Sequence, residues 1–338
     1  MTKNNRSYMY KNERKNFFYK IFVKHKQKKN YIVVILIGKK IYSDWNKYSK
    51  DLLIKYCKKN NLGLIGFVRS FTVGKGYYAN PVFNKFLFAD FIKKNLKFIN
   101  NVCYLDVDIL SNPLAPNIFK HHKKGKFSVV SKYKNTPYSQ NDNFLKRRAA
   151  FMRKAHYNRN FPLDSALTIS RKQIYNFNNW PDMGDYFCSG LLMFNIKEKA
   201  ELLKNIYFKY KQKNIKTMTT GEEPILNYEI LKTKKINWLN YKFQALWLYE
   251  ITSKYPFLYK YKLNDKIVKE CIENSISENY FVHFSGKWPE GQMWKQKNIF
   301  SSNKIKFYRK FNTYLRKKLK SKPRTKLITF SNLSSLYK

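Results

Sequence analysis

Two carboxylates one residue apart, Asp106 and Asp108, interrupt the apolar run "VCYLDVDIL" at 102–110, in a chain with 21 acidic residues against 68 lysines and arginines. The run reads as a buried strand. Faces alternate along a strand, so both aspartates project to one side, with Cys103, Leu105, Val107 and Ile109 on the other. Like charges that close repel, and burying either one unpaired costs several kcal/mol. A divalent cation relieves both problems, because hard ions such as Mg²⁺ and Mn²⁺ favour carboxylate oxygens and accept phosphate oxygens as further ligands. The plainer alternative is a strand end emerging into solvent or pairing with nearby lysines.

The elements that must hold this pair read as an alternation of strands and helices. "NYIVVILIG" predicts a buried strand ending at Gly38, followed by a helix from about Asp44 to Lys59, and "LGLIGFVRS" predicts a second strand. "YYANPVFNKFLFADFIKKNLKFI" predicts one helix that Asn80 caps and Pro81 opens. Residues 120–165 form a lysine-rich excursion in which "FSVVS" is strand-like and 143–156 helical. "DYFCSGLLMFNI" is a further strand, 197–213 a helix, and "NYFVHFSGKWPEG" a last strand running into a glycine loop. Continuous apolar strands alternating with helices imply an α/β fold, with a mostly parallel sheet covered on both faces. We divide the chain into a basic arm (1–30), a catalytic domain (31–300) and a basic amphipathic helix and tail (301–338), where Ile305, Tyr308, Phe311, Leu315 and Leu319 recur at helical spacing.

The aspartate strand, followed by "SNPLAPNIF", resembles the metal-binding segment of the GT-A glycosyltransferases. More narrowly, it is similar to the retaining enzymes of glycosyltransferase family 8, the galactosyltransferase and glycogenin relatives. Lys85, in "FNKFLFADFI", stands at the family's basic helix position. "YFCSGLLMFN" resembles the family strand that carries Asn-Ala-Gly, "EEPILN" its helix start with an Asp-Gln pair, and "VHFSGKW" its His-Phe-Gly-Lys segment. Four blocks in the family's order span residues 80 to 290. The resemblance implies a GT-A nucleotide-diphospho-sugar transferase fold and transfer of a hexose from a nucleotide sugar, UDP-linked, to a glycan or glycolipid acceptor with retention. It implies that Asp106, Asp108 and His283 hold Mn²⁺ (or Mg²⁺) against the donor phosphates as Lewis acid and template. Val107 lies within that donor-binding segment. Lys85 and Lys287, with Gly286 in the loop before it, would meet the nucleotide diphosphate. Ser189 and Gly190 would admit donor or acceptor close to the backbone, and Glu222 and Glu223 would stand as catalytic carboxylates beside the sugar's reactive face.

Each assignment has a plainer counterpart. Lys85 reads equally as a solvated lysine of an amphipathic helix, His283 as a structural histidine, and Gly190 as a strand irregularity. Thr220 to Glu223 matches a helix capping box. The chain also departs from the family pattern. "LIGKKIYSDWNKY" lacks the acidic base-gripping segment, leaving Tyr42 as a stacking platform. Cys188 replaces Asn, Glu223 replaces Gln, and the segment after His283 is shorter.

Composition bounds the remaining options. An aromatic share of 18% excludes a disordered chain. The net charge, 68 − 21 = +47, suits nucleotides, nucleic acid or anionic lipid, and AT-rich coding is the alternative source of the same residue types. Two competing functions share these features. One is a nucleotidyltransferase built on the same Asp-x-Asp site, which lacks support from any glycine-rich phosphate loop. The other is a non-catalytic nucleic-acid binder, disfavoured because many aromatics fall in apolar strands and helix faces. Cys57, Cys103, Cys188 and Cys271 show no metal or disulfide spacing and read as buried apolar residues of a reducing compartment. "YIVVILI" is too short to cross a bilayer and the N-terminus lacks a signal-peptide pattern, so we expect a cytoplasmic protein. The C-terminal basic helix either packs on the domain or rests on an anionic membrane.

Overall fold

Tyr31 to Val34 are wholly buried on successive positions, so the strand they form needs cover on both faces. A computed structural model describes residues 18–24, 29–134, 136–157, 160, 169–218, 221–262, 265–301, 304–305 and 310. Its strands are β1 (Tyr19–Val23), β2 (Asn30–Ile35), β3 (Gly63–Phe67), β4 (Asn101–Leu105), β5 (Ile109–Ser111), β6 (Phe127–Val129), β7 (Leu191–Asn195), β8 (Ile236–Trp238), β9 (Ala245–Leu246) and β10 (Phe281–His283). A seven-stranded sheet runs β1-β3-β2-β4-β7-β6-β8, and a three-stranded sheet runs β5-β10-β9. In the large sheet β2, β3, β4, β6 and β8 share one direction, while β1 and β7 oppose them. The fold is α/β with a mostly parallel central sheet.

Alternation along these strands sorts the core into two layers. Tyr31, Val33, Phe67, Val102, Tyr104, Leu192 and Phe194 face one side, where they meet α3 (Phe88–Asn95) and α6 (Ile196–Gln212). Ile32, Val34, Leu64, Cys103, Leu105, Leu191 and Met193 face the other, against Trp45 of α1 (Lys39–Tyr48) and Leu53, Tyr56 and Cys57 of α2 (Lys50–Asn60). Further helices among the described residues are α4 (Asp142–His156), α5 (Arg171–Asn176), α7 (Glu223–Lys232), α8 (Trp247–Lys254) and α9 (Lys266–Glu278).

Several sequence expectations change here. The aspartate strand stops at Leu105. Asp106 to Asp108 form a turn, closed by Ile109 N donating to Asp106 O at 3.3 Å, and the chain passes from the large sheet into the small one. The helix expected over 77–99 divides into 3₁₀ turns at Tyr77–Ala79 and Pro81–Phe86, followed by α3. Asn80 does cap Val82 N, but the Asn84 side chain reaches out to Phe71 N (2.6 Å) and Pro81 O (2.8 Å), anchoring a tight 3₁₀ segment in place of an α-helix. Within the arm expected at 1–30, Tyr19–Val23 forms an edge strand antiparallel to β3, while 1–17 and 25–28 lie outside the described residues. The excursion at 120–165 contributes β6 to the central sheet and then α4; residues 135, 158–159 and 161–165 lie outside the description. Contacts divide the chain into units Met1–Ile299 and Phe300–Lys338, and most of the expected C-terminal helix lies outside the described residues.

Candidate metal and donor site

Strand pairing brings the acids and the histidine together. The β4–β7 register pairs Leu105 with Leu191, and Asp106 N then donates to Gly190 O at 2.9 Å. On the small sheet His283 pairs with Ile109, which places its ring beside Asp108, and Phe284 N donates to Asp108 O at 3.1 Å. One ligand atom each from Asp106, Asp108 and His283 fits within 4.8 Å of the others. His283 Nε2 lies 3.3 Å from Asp108 Oδ1 and 3.7 Å from Asp106 Oδ2.

The other imidazole nitrogen has its own partner. With the Gln244 amide turned so that its oxygen faces the ring, it accepts from His283 Nδ1 (3.3 Å) and Leu191 N (3.0 Å), while its nitrogen donates to Cys188 O (3.2 Å). A proton fixed on Nδ1 leaves the Nε2 lone pair aimed at the two carboxylates. Two carboxylates and a lone pair are all acceptors, and Asp108 Oδ1 is buried without a hydrogen-bond donor. A divalent cation fits this donor set. Burial lowers the His283 pKa, but Cys188 and Asp108 outweigh it and hold the pKa well above the ordinary value, so proton and cation compete for Nε2.

Lys85 forms the second layer. Its ammonium contacts Glu222 Oε1 (2.6 Å), Asp106 Oδ1 (3.2 Å) and Ser189 Oγ (3.2 Å), and stands 5.2 Å from the Tyr104 ring centre. Tyr104 hydroxyl also donates to Asp106 Oδ1. Burial opposes the Lys85 charge, yet Asp106 and Glu222 hold its pKa well above the lysine norm. Lys85 is therefore a buried, paired residue and not a solvated one. Ser189 Oγ donates to Glu222 Oε1 at 2.9 Å, while Ser189 N donates to Glu223 Oε2 at 3.0 Å. Glu223 Oε1 pairs with Lys132 at 2.7 Å. Burial alone would raise the Glu223 pKa; Lys132, the Ser189 amide and Lys85 bring it below the ordinary value. The Glu222 side chain is 5% exposed and that of Glu223 23%, so Glu223 is the more accessible of the two.

Glu223 starts α7 and spends its oxygens on Lys132 and Ser189, so it serves no capping box; Thr220 lies outside the described residues. Gly190 has a steric reason that the sequence did not disclose. A Cβ there would stand 2.4 Å from His283 Cε1 and 2.9 Å from Asp106 Oδ2. Val107 packs against the second core layer. Gly286, with φ +106°, and exposed Lys287 lie on the loop after β10. Sequence reading missed Lys132, Gln244 and Tyr104. Gln244 left a trace as a polar residue inside "FQALW"; Lys132 left none among so many lysines.

A cleft of about 360 Å³ opens where β2 and β3 end, lined by Lys20, Leu36, Gly38, Lys39, Tyr42 and Val68. Lys20 Nζ donates to Tyr42 hydroxyl at 3.3 Å. β2 lies between β3 and β4, so this cleft and Asp106 share the carboxyl edge of the parallel strands, where α/β sheets take ligands.

No protein-family model matches the sequence, and no curated protein does. Among solved structures, the chain is similar to a glycosyltransferase involved in the glycosylation of the major capsid of PBCV-1, at 12% identity, over 79% of this chain and 98% of that one, with a TM-score of 0.45. It is also similar to the WbbM bifunctional glycosyltransferase at 13% identity, over 82% of this chain and 51% of that one, with a TM-score of 0.44.

Cys57, Cys103 and Cys188 are buried and free, as the sequence implied, but Cys271 is only partly buried and Cys188 Sγ sits 3.4 Å from His283 Nδ1. Among the described residues no helix is long and apolar enough to cross a membrane.

Proposed function

We propose that this chain is a GT-A glycosyltransferase of the family 8 type, moving a hexose from a UDP-sugar to a glycan acceptor with retention and using Mn²⁺ or Mg²⁺. The observation that carries the reading is the convergence of Asp106, Asp108 and His283 at the carboxyl edge of the sheet, backed by buried Lys85. Charge supports it. Lys85 and Lys132 against Asp106, Asp108, Glu222 and Glu223 leave 2 − 4 = −2 before His283 is counted, and a proton on His283 still leaves a negative site, which repels a diphosphate unless a divalent cation cancels it. When bound, the ion supplies Lewis-acid neutralisation of the leaving diphosphate. Asp106, Asp108 and His283 would hold it, and Gln244 keeps Nε2 directed at it. Lys85 holds Asp106, Ser189 and Glu222 in place and adds fixed positive charge. Glu223, ionised and about a quarter exposed, would face the sugar carbon as positive charge develops there. The cleft at Tyr42 and Lys20 would take the nucleoside end. Retention and the identity of the nucleotide follow from the sequence resemblance.

The aromatic content fits an enzyme core better than a nucleic-acid platform, since the largest fully buried side chains include Trp45, Trp247, Tyr31 and Phe67. The test is Mn²⁺-dependent release of UDP from a panel of UDP-sugars, with the anomer of any product read by NMR. We expect release by the wild type and loss of about 10²-fold or more in Asp108→Ala. Equal rates for both proteins, or pyrophosphate release from a nucleoside triphosphate instead, would overturn the reading.

A further inference from the structure

The outward side of α4 carries an aromatic strip set among cations. Phe144 and Phe151 stand seven residues apart, which places them on one side of the helix, and they are 63% and 59% exposed. Arg147 and Lys154, both exposed, flank them, and partly buried Arg148 lies between the rings. The inward side is occupied: Leu145, Ala149 and Ala150 are buried, and Arg153 pairs with Glu290 at 2.5 Å. The 3₁₀ turn Pro256–Lys260 packs against α4, with the Tyr157 and Tyr259 ring centres 5.6 Å apart. Around that turn Phe257 is 44% exposed and Tyr261 37%, beside exposed Lys260 and Lys262. The only acid in α4 or in 256–262 is Asp142, which is buried and held by Lys146 and the Tyr249 hydroxyl.

Single exposed apolar residues are ordinary on a soluble surface. Four large exposed rings on two packed elements, set among cations and with no exposed carboxylate in either segment, exceed scattered apolar exposure and point to an interaction site. The rings gain by leaving water only where the partner has apolar depth, and the cations gain only where its surface is negative. Anionic headgroups over an acyl boundary provide both. A nucleic-acid strand is tracked by a basic groove lined with stacking faces, whereas the side of a helix is convex. We propose that α4, with the 256–262 segment, docks the protein on an anionic lipid surface. The C-terminal basic helix is not needed for this, and neither is the glycosyltransferase reading. Arg153 ties α4 to the segment following His283, so docking sets how far the acid cluster stands from the lipid.

The test is cosedimentation of the full chain with phosphatidylcholine vesicles, with and without phosphatidylglycerol. Binding should require phosphatidylglycerol. Both Phe144→Ser/Phe151→Ser and Arg147→Glu/Lys154→Glu should weaken it by roughly tenfold or more, since each cation near an anionic surface is worth about fivefold. Phe144→Tyr/Phe151→Tyr should retain binding. The control Lys55→Glu/Lys58→Glu makes the same charge change on exposed positions of α2 and should cost less than about twofold. Circular dichroism confirms that each variant is folded, which exposed positions on a packed helix permit. Equal losses from the two charge reversals with no effect of the serines would mean general attraction by a basic chain, and would overturn the proposal. So would self-association without lipid that the serine pair abolishes, because a second copy would then occupy the face.

Discussion

Adding one methyl group at Gly190 tests the site without removing any ligand. Gly190 is not among the glycines with positive φ, so alanine is tolerated by the backbone and the effect is purely steric. The new Cβ would meet His283 Cε1 at 2.4 Å, Asp106 Oδ2 at 2.9 Å and the end of the Gln244 amide at 2.9 Å, where ordinary contact begins near 3.4 Å. The imidazole must then retreat by about 1 Å, and a misplacement of that size costs on the order of 10²-fold in rate. It also breaks the alignment of Nδ1 with Gln244, and disturbing such a support costs about 10–100-fold in metal affinity. Overpacking of this kind destabilises by about 1–3 kcal/mol, which leaves the protein folded. Calorimetric titration of Gly190→Ala with Mn²⁺, beside circular dichroism and UDP release, reads all three. Binding within about twofold of wild type in a folded variant would show that Gly190 does not shape a metal site, and would refute the reasoning.

Three more outcomes follow from the geometry. Gln244→Leu removes the acceptor that fixes the His283 tautomer, so Mn²⁺ affinity by titration should fall about 10–100-fold with the fold intact. Lys132→Met strips Glu223 of its ammonium and should cost roughly 1–3 kcal/mol in urea unfolding at neutral pH. The Glu223 pKa lies below its ordinary 4.5, so its contribution is present above that value and lost as pH falls through the folded pKa; the gap between wild type and variant should close in that acid range. Arg153→Met takes the guanidinium from buried Glu290 and should lower stability by about 3–5 kcal/mol, measured by the same unfolding.

Much of the framework was legible in local pattern. β2 was clear because an unbroken apolar run with β-branched residues has only one home in an α/β protein. Asp106 and Asp108 were legible as a pair for the opposite reason, since carboxylates in an apolar run need a partner. Their backbone was misread because period-two alternation persists from Leu105 to Ile109 while the chain leaves one sheet and enters another, and only the distant partners Leu191 and His283 reveal the change. The division of the 77–99 helix depends on Asn84 reaching Phe71, thirteen residues away. Glu223's role required Lys132, which no spacing or composition distinguishes from its many counterparts.

Asp106 directly follows a strand of the larger sheet, whereas His283 belongs to the smaller one and Asp108 leads into it. Any ion gripped by all three is consequently a rivet across a seam, and its removal should slacken that joint as well as silence the chemistry. The melting temperature becomes a gauge of occupancy: chelation lowers it, and cation plus donor raises it, even when no acceptor is at hand.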